Sequence, residues 1–376
     1  MSLKIAVVHD WLVGRRGGEK VLEQILYVVE KNFNPEKLEL FTLVHKKGSQ
    51  SEIIEKQKIN VSFIQKLPFG LKKYRNYLPL FPSAIESFDL KDYDLIISSS
   101  HAVAKGIIAA GGAVHVSYSH TPMRYIWDHY HTYFGDKKGL KKILYSSVAN
   151  YLRIWDKVSS DRVDFFIANS NNVKERIKRY YKRDAEVIYP PVDTEFFTCE
   201  SKIKRENYFL VVSAMVPYKK VELVIETFNR TNYNLKVVGD GPDYKKLRRK
   251  ANNNIELLGW VEDEKLKELY SKAQALIFPT VEDFGIVPVE AQACGTPVIA
   301  YKAGGALETV IEDQTGIFFE EQTVSGLLVT IDKFLNKRFN SELIRKNSLK
   351  FSKENFRKKF SLFLERVLRE RKIDKD

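Results

Sequence analysis

The sequence predicts an α/β protein built from two doubly wound domains. Three observations carry this. The chain has 376 residues, enough for two domains of ordinary size. Short apolar runs of strand length alternate along it with helical stretches, the pattern of parallel sheets with crossover helices. Near the middle, Pro190 and Pro191 stop regular structure. Hydrophobic residues make up 44% and charged residues 29%, which excludes a disordered chain. No apolar run approaches the roughly 20 residues of a membrane span. The first residues, MSLKIAVVHDW, lead straight into a strand and do not form a signal peptide, so a cytoplasmic location is expected. Cys199 and Cys294 lie far apart and suggest neither a disulfide framework nor a metal site.

In the first domain, Lys4–His9 is an apolar opening strand. It is followed by a glycine-rich turn with Gly14, Gly17 and Gly18, and then by the amphipathic VLEQILYVVE helix. The glycines do not make a dinucleotide fingerprint, but they do sit between a strand and a helix start. Arg15 and Arg16 beside them are candidate anion contacts. Leu38–Val44 reads as a second strand and Lys46–Ile59 as polar loop or surface helix. Residues 66–88 mix basic with aromatic and aliphatic side chains and are broken by three prolines. Such a segment can lie on a membrane surface or pack inward as irregular core. Asp94–Ser98 and Ala113–Tyr118 are further strands, which puts His101 and His120 near carboxyl ends. His129 and His131 alone do not make a metal site, and none is expected. Leu144–Ser160 reads as a helix and Phe165–Ala168 as a strand. A Ser/Asn cap then opens the basic helix NNVKERIKRYY.

In the second domain, Tyr208–Ser213, Leu235–Val238 and Ile255–Leu258 are strands, the second followed by Gly239-Asp-Gly-Pro. The most informative stretch is Ala275–Gly305. Two strand-like runs, Ala275–Pro279 and Thr296–Tyr301, flank a helix at Ile286–Cys294. Pro288 suits its first turn and Gly295 its stop. Glu282 lies in the loop past the first strand and Glu290 one turn into the helix, with seven residues between them. Ligands of open α/β sheets bind at that carboxyl edge, and a helix N-terminus there suits a phosphate. Gly285 lets a ligand approach the backbone closely. The reading is a phosphate-bearing ligand held by amides around Phe284–Val289, with both carboxylates accepting hydrogen bonds from its hydroxyls. Two other readings fit an isolated acidic pair: dipole compensation, and a hydrolase's acid and base. Thr315–Phe318 is a last strand, and Leu343–Arg371 reads as basic helix.

The glutamate pair, Phe284–Gly285 between them, Gly295-Thr-Pro and Gly304–Gly305 resemble the donor site of retaining glycosyltransferases of family 4. Pro190-Pro191-Val192-Asp193 matches the family's turn between domains. The resemblance thus implies two Rossmann-like domains, residues 1–190 and 191–357, facing across a cleft, the GT-B architecture, with the last helix, at about 358–376, returning to the first domain. It implies that Glu282 contacts the transferred hexose and Glu290 the ribose, with Asp283, Phe284, Gly285, Ile286 and Val287 around the donor. Lys219 matches a diphosphate-binding lysine. The arginine expected five residues earlier is Ala214, a departure that Lys220 could offset with its own charge. Gly17, Gly18 and Gly239 match turns near the donor, and Trp260 and Val261 border the base. Ser119–Tyr130 resembles the mannosyltransferase branch, with His120 at the reaction centre and Arg124 and Trp127 on the acceptor side.

The function implied is metal-independent transfer of mannose from GDP-mannose to a saccharide acceptor, with retention and no cofactor, in surface-polysaccharide or O-antigen biosynthesis. Alternatives are a UDP- or dTDP-sugar donor and a non-catalytic sugar-nucleotide-binding protein. Net charge is +13, and residues 1–190 hold 30 Lys and Arg against 20 Asp and Glu. That excess suggests an anionic partner for the first domain: a polyprenyl-diphosphate-linked acceptor, or peripheral contact with the inner face of the cytoplasmic membrane. Nucleic acid fits the charge alone and is not expected.

Overall fold

The computed structural model describes residues 3–128, 130–131, 138–198 and 204–373. His129 and Cys199 lie outside them. The chain forms two compact units, residues 1–189 with 356–376, and residues 190–355.

The first unit is a seven-stranded sheet. Its strands are β1 (Lys4–His9), β2 (Lys37–Thr42), β3 (Lys58–Val61), β4 (Leu95–Ser100), β5 (Val114–Ser119), β6 (Phe165–Ala168) and β7 (Glu186–Val187). Their order is β3-β2-β1-β4-β5-β6-β7, and every pairing is parallel. The centre of such a sheet is covered on both faces, so β1, β4 and β5 are buried almost throughout. One face packs on the Gly17–Val28 helix and on the chain's last helix, Lys353–Ile373. Phe356, Phe360, Phe363, Leu364 and Val367 of that helix share one core with Ile5, Leu22 and Ile25. Fully burying such side chains stabilises by roughly 1.5–3 kcal/mol each. Arg357 Nε donates to Gln24 Oε1 at 2.8 Å and fixes the helix's register.

The second unit is a six-stranded parallel sheet: β8 (Phe209–Val212), β9 (Leu235–Val238), β10 (Ile255–Gly259), β11 (Leu276–Phe278), β12 (Val298–Tyr301) and β13 (Gly316–Phe319). Its order is β10-β9-β8-β11-β12-β13. Both sheets therefore reverse direction of winding beside their first strand, at β1/β4 and at β8/β11. Ligands of doubly wound sheets bind outside the carboxyl ends of the strands at that reversal.

Three segments depart from the sequence reading. Residues 46–59 hold a short helix at Glu52–Glu55, within the loop-or-helix reading, but β3 already starts at Lys58. The helix expected from Leu144 begins at Gly139. Residues 343–371 are two helices, Ser341–Ser348 and Lys353–Ile373, parted by a 3-10 turn at Leu349–Phe351. Residues 66–88 are irregular 3-10 and α turns that bury Tyr74, Phe81, Ala84 and Ile85. Phe69 and Leu80 stay exposed. No helix among the described residues is long and apolar enough to cross a membrane.

Candidate functional site

In the second unit, the winding reversal is lined by the turns after β8 and β11. The first carries Lys219 in a 3-10 turn at Pro217–Lys219, and the second carries Glu282. Lys219 Nζ is hydrogen-bonded and ion-paired to Glu282 Oε1. Both side chains are largely buried, 19% exposed each. Lys220 follows in the left-handed conformation with φ +56°, exposed, at the start of the Val221–Phe228 helix. Ala214 is also exposed.

The loop of Glu282–Phe284 is fixed from beneath by Gly304 and Gly305. Gly305 N donates to Glu282 O at 2.8 Å. A Cβ on Gly305 would lie 2.3 Å from Phe284 backbone atoms, so only glycine lets the two segments touch. Phe284 itself is buried against Phe351, with ring centroids 5.4 Å apart. It therefore anchors the loop with its ring and offers a ligand only its backbone. Gly285 has φ +87° and opens the helix Ile286–Ala293, whose first N–H groups have no partner inside the helix. Glu290 is 6% exposed on that helix. Tyr270 Oη donates to its Oε2 at 3.1 Å, and burial pushes the Tyr270 hydroxyl pKa far up, so the tyrosine stays a donor. The sequence reading did not include Tyr270. Gly239 has φ +129°, and a Cβ there would lie 1.9 Å from Ser213 O. Trp260 is 70% exposed, beside the half-buried Val261.

In the first unit, three histidines gather at the β1/β4 reversal: His9 ends β1, His101 follows β4 and His120 follows β5. Ser99 Oγ bridges two of them, 3.1 Å from His9 Nδ1 and 2.8 Å from His120 Nε2. Burial, and then the neighbouring His101 and His9, lower the His120 pKa well below its usual value. His120 is therefore neutral near pH 7 and can donate or accept a hydrogen bond. Gly18 stands against the cluster, its Cβ position 3.7 Å from His9 and 3.8 Å from His120, and Gly17 opens the helix beside it. Arg15 is taken up by Glu23 at 3.1 Å.

Beneath the cluster, Asp10 is fully buried and accepts from four successive amides. His101 N and Ala102 N bind Oδ2 at 2.7 and 3.0 Å, and Val103 N and Ala104 N bind Oδ1 at 2.6 and 2.7 Å. Its carboxylate also meets His101 Nδ1 at 3.0 Å. Burial disfavours that charge, but His101 and the amides outweigh it and hold the carboxyl well below its usual range. The same pairing raises His101 against its own burial. Asp10 and His9 had no place in the sequence reading. The signal available was their position at the end of β1, in HDW.

Arg124 lies half-buried in the turn after Met123. Trp127 is engaged on two sides: its Nε1 donates to Asp156 Oδ2 at 2.8 Å, and its ring stacks on Tyr180 at 4.6 Å. Asp156 in turn pairs with the buried Lys105 at 3.0 Å, so the indole is held by a buried polar network.

The description "Glycosyl transferases group 1" matches residues 193–358, and "Glycosyltransferase Family 4" matches residues 38–196. The chain is 32% identical over 207 residues to an uncharacterized glycosyltransferase, MJ1178, of Methanocaldococcus jannaschii, covering 54% of this chain and 58% of that protein. It is 37% identical over 161 residues to the O-antigen chain mannosyltransferase RfbU of Salmonella typhimurium, covering 40% and 45%. The chain thus spans about half the length of the curated relatives it matches. Among solved structures, sucrose-phosphate synthase of Thermosynechococcus elongatus superposes with a TM-score of 0.70 at 16% identity, covering 97% of this chain and 99% of that one. That likeness establishes a shared GT-B fold. With these two glycosyltransferase models matched over consecutive stretches, the chain is a family 4-like glycosyltransferase.

Proposed function

We propose that the protein transfers mannose from GDP-mannose to a saccharide acceptor, with retention at the anomeric carbon. The observation that carries the reading is the constellation at the second unit's winding reversal. There Lys219 and Glu282 lie on adjoining turns, and Glu290 and the first amides belong to the Ile286–Ala293 helix that follows. The likeness to an O-antigen chain mannosyltransferase supports mannose as the sugar.

Lys219 and the helix amides would meet the donor diphosphate and stabilise the charge that grows on it as the sugar leaves. Glu290, oriented by Tyr270, would accept hydrogen bonds from the ribose hydroxyls. Glu282 would exchange its ion pair with Lys219 for hydroxyls of the hexose, which frees the lysine for phosphate. The anomeric C–O bond to phosphate breaks, and the acceptor oxygen bonds the same face. The acceptor's proton passes to the departing phosphate oxygen. Neutral His120 would hydrogen-bond the transferred sugar.

The test is a thermal-shift panel of GDP, UDP, dTDP and their hexose conjugates in EDTA, followed by product analysis. A ligand bound only by the native state raises the melting temperature by mass action. A shift selective for GDP and GDP-mannose is expected. A shift with UDP or dTDP compounds alone would overturn the donor, and an inverted product would overturn the stereochemistry.

A further inference from the structure

The first unit also carries a cavity of about 740 Å³, separate from the histidine cluster. Its cationic lining is Lys46, Lys72, Lys73 and Arg75, from the turn after β2 and from residues 71–76. No carboxylate lines it among the described residues, and none of the four cations takes part in an ion pair there. Lys73 and Arg75 instead stand over the rings of Phe69 and Tyr74, at 5.3 and 5.5 Å. Elsewhere on this protein exposed lysines find carboxylates, as Lys56 does with Glu30 and Lys246 with Glu222. Four uncompensated cations around one hollow attract an anion of more than one charge.

The cavity sits beside the site. Trp11 packs against Tyr74 at 5.3 Å on one side and against His101 at 4.4 Å on the other. Its rim is apolar: Leu71 lines it, and the neighbouring Phe69 is 70% exposed. Phe69 holds φ +55°, a left-handed conformation that bulky residues rarely adopt.

We propose that this cavity binds the phosphate or diphosphate of an acceptor carried on an apolar chain, with Lys72, Lys73, Arg75 and Lys46 meeting the phosphate oxygens and Phe69 and Leu71 the first carbons of the chain. The proposal rests on the glycosyl-transfer reading for the word acceptor. The binding it asserts is measured without turnover.

The experiment is equilibrium dialysis of the full chain with farnesyl diphosphate and, separately, inorganic pyrophosphate, at low salt. Three variants are compared: Lys72→Gln/Lys73→Gln/Arg75→Gln, Lys219→Gln, and a charge-matched control, Lys245→Gln/Arg248→Gln/Arg249→Gln, on an exposed helix of the second unit. The cavity variant should lose at least about tenfold in affinity for farnesyl diphosphate while its thermal shift with GDP is unchanged. Tighter binding of farnesyl diphosphate than of pyrophosphate identifies a lipid-borne phosphate. Equal binding of the two overturns the apolar part of the proposal. The site is overturned if the wild type binds neither probe, if the control loses as much as the cavity variant, or if only Lys219→Gln loses binding. A failed GDP panel with intact, cavity-dependent farnesyl diphosphate binding would remove the donor reading and leave this site standing.

Discussion

The carboxylate of Asp10 and the imidazole of His101 stand 3.0 Å apart, and the same carboxylate closes the four amides that follow β4. One buried charge thus shapes the turn after β4 and orients a histidine of the cluster. Removing one partner of a buried, hydrogen-bonded charge costs about 3–5 kcal/mol. Asp10→Ala should destabilise the protein by that order in urea unfolding. Asp10→Asn, which keeps one acceptor oxygen, should lose less.

Acid should weaken the fold through its buried histidines. Burial holds His115 at about 3 and lowers His9 and His120. A histidine whose folded pKa is depressed binds fewer protons than the unfolded chain. Its stabilisation is therefore present above the unfolded value near 6.5 and is lost as pH falls below it. His115 alone would account for roughly 2 kcal/mol by pH 5. His101 acts oppositely: its raised pKa stabilises below 6.5, and that contribution fades as pH rises through the folded value. Three against one, the melting temperature should be lower at pH 5 than at pH 7.5, and His115→Asn should narrow the gap.

The Lys219–Glu282 pair makes a prediction in which affinity and rate diverge. Glu282→Gln leaves Lys219 without that charged partner, so GDP should bind roughly threefold more tightly while kcat falls about 100-fold. Lys219→Gln should weaken GDP binding and lower kcat/KM by about 100-fold. Calorimetry with GDP and initial rates with GDP-mannose check both. Weaker GDP binding by Glu282→Gln would contradict the exchange of partners.

Tyr270→Phe removes the hydroxyl that holds Glu290. A hydrogen bond to a charged group contributes about 1.5–3 kcal/mol. GDP affinity should fall about tenfold, while 2′,3′-dideoxy-GDP should bind both proteins alike. An equal loss for the two nucleotides would show that the tyrosine serves the fold and not the ribose.

Gly305→Ala places a methyl 2.3 Å from the backbone of Phe284. The loop bearing Glu282 has to move, so kcat/KM should drop by about 100-fold or more. The buried core of the first unit is far from this change in sequence, and its amide hydrogen exchange should be unaltered.

Strands that cross a covered sheet were legible because they are apolar end to end, as in Ile5–Val8 and Val298–Ala300. β3 escaped because it is an edge strand with Lys58 exposed, and its KINV pattern reads as surface. The break at Leu349–Phe351 escaped because no glycine or proline marks it. At the site, the turns carrying Lys219 and Glu282 and the helix carrying Glu290 could be placed from strand ends, Pro288 and glycines. Their partners could not. Tyr270 is 20 residues from Glu290 and Asp10 is 91 from His101. The Lys105–Asp156 pair joins positions whose charges alone suggest surface. Such contacts depend on which strands adjoin, and a single sequence does not state that.

The last helix bears on how the chain is made. Phe356, Phe360, Phe363, Leu364 and Val367 complete a core whose other members precede residue 190. A ribosome delivers those five side chains only after every residue of the second unit. The earlier half must therefore wait, with part of its apolar face uncovered, while the later half can already close. Assembly order is inverted relative to synthesis, and a chain truncated before residue 356 would present chaperones with an unfinished first unit and a complete second one.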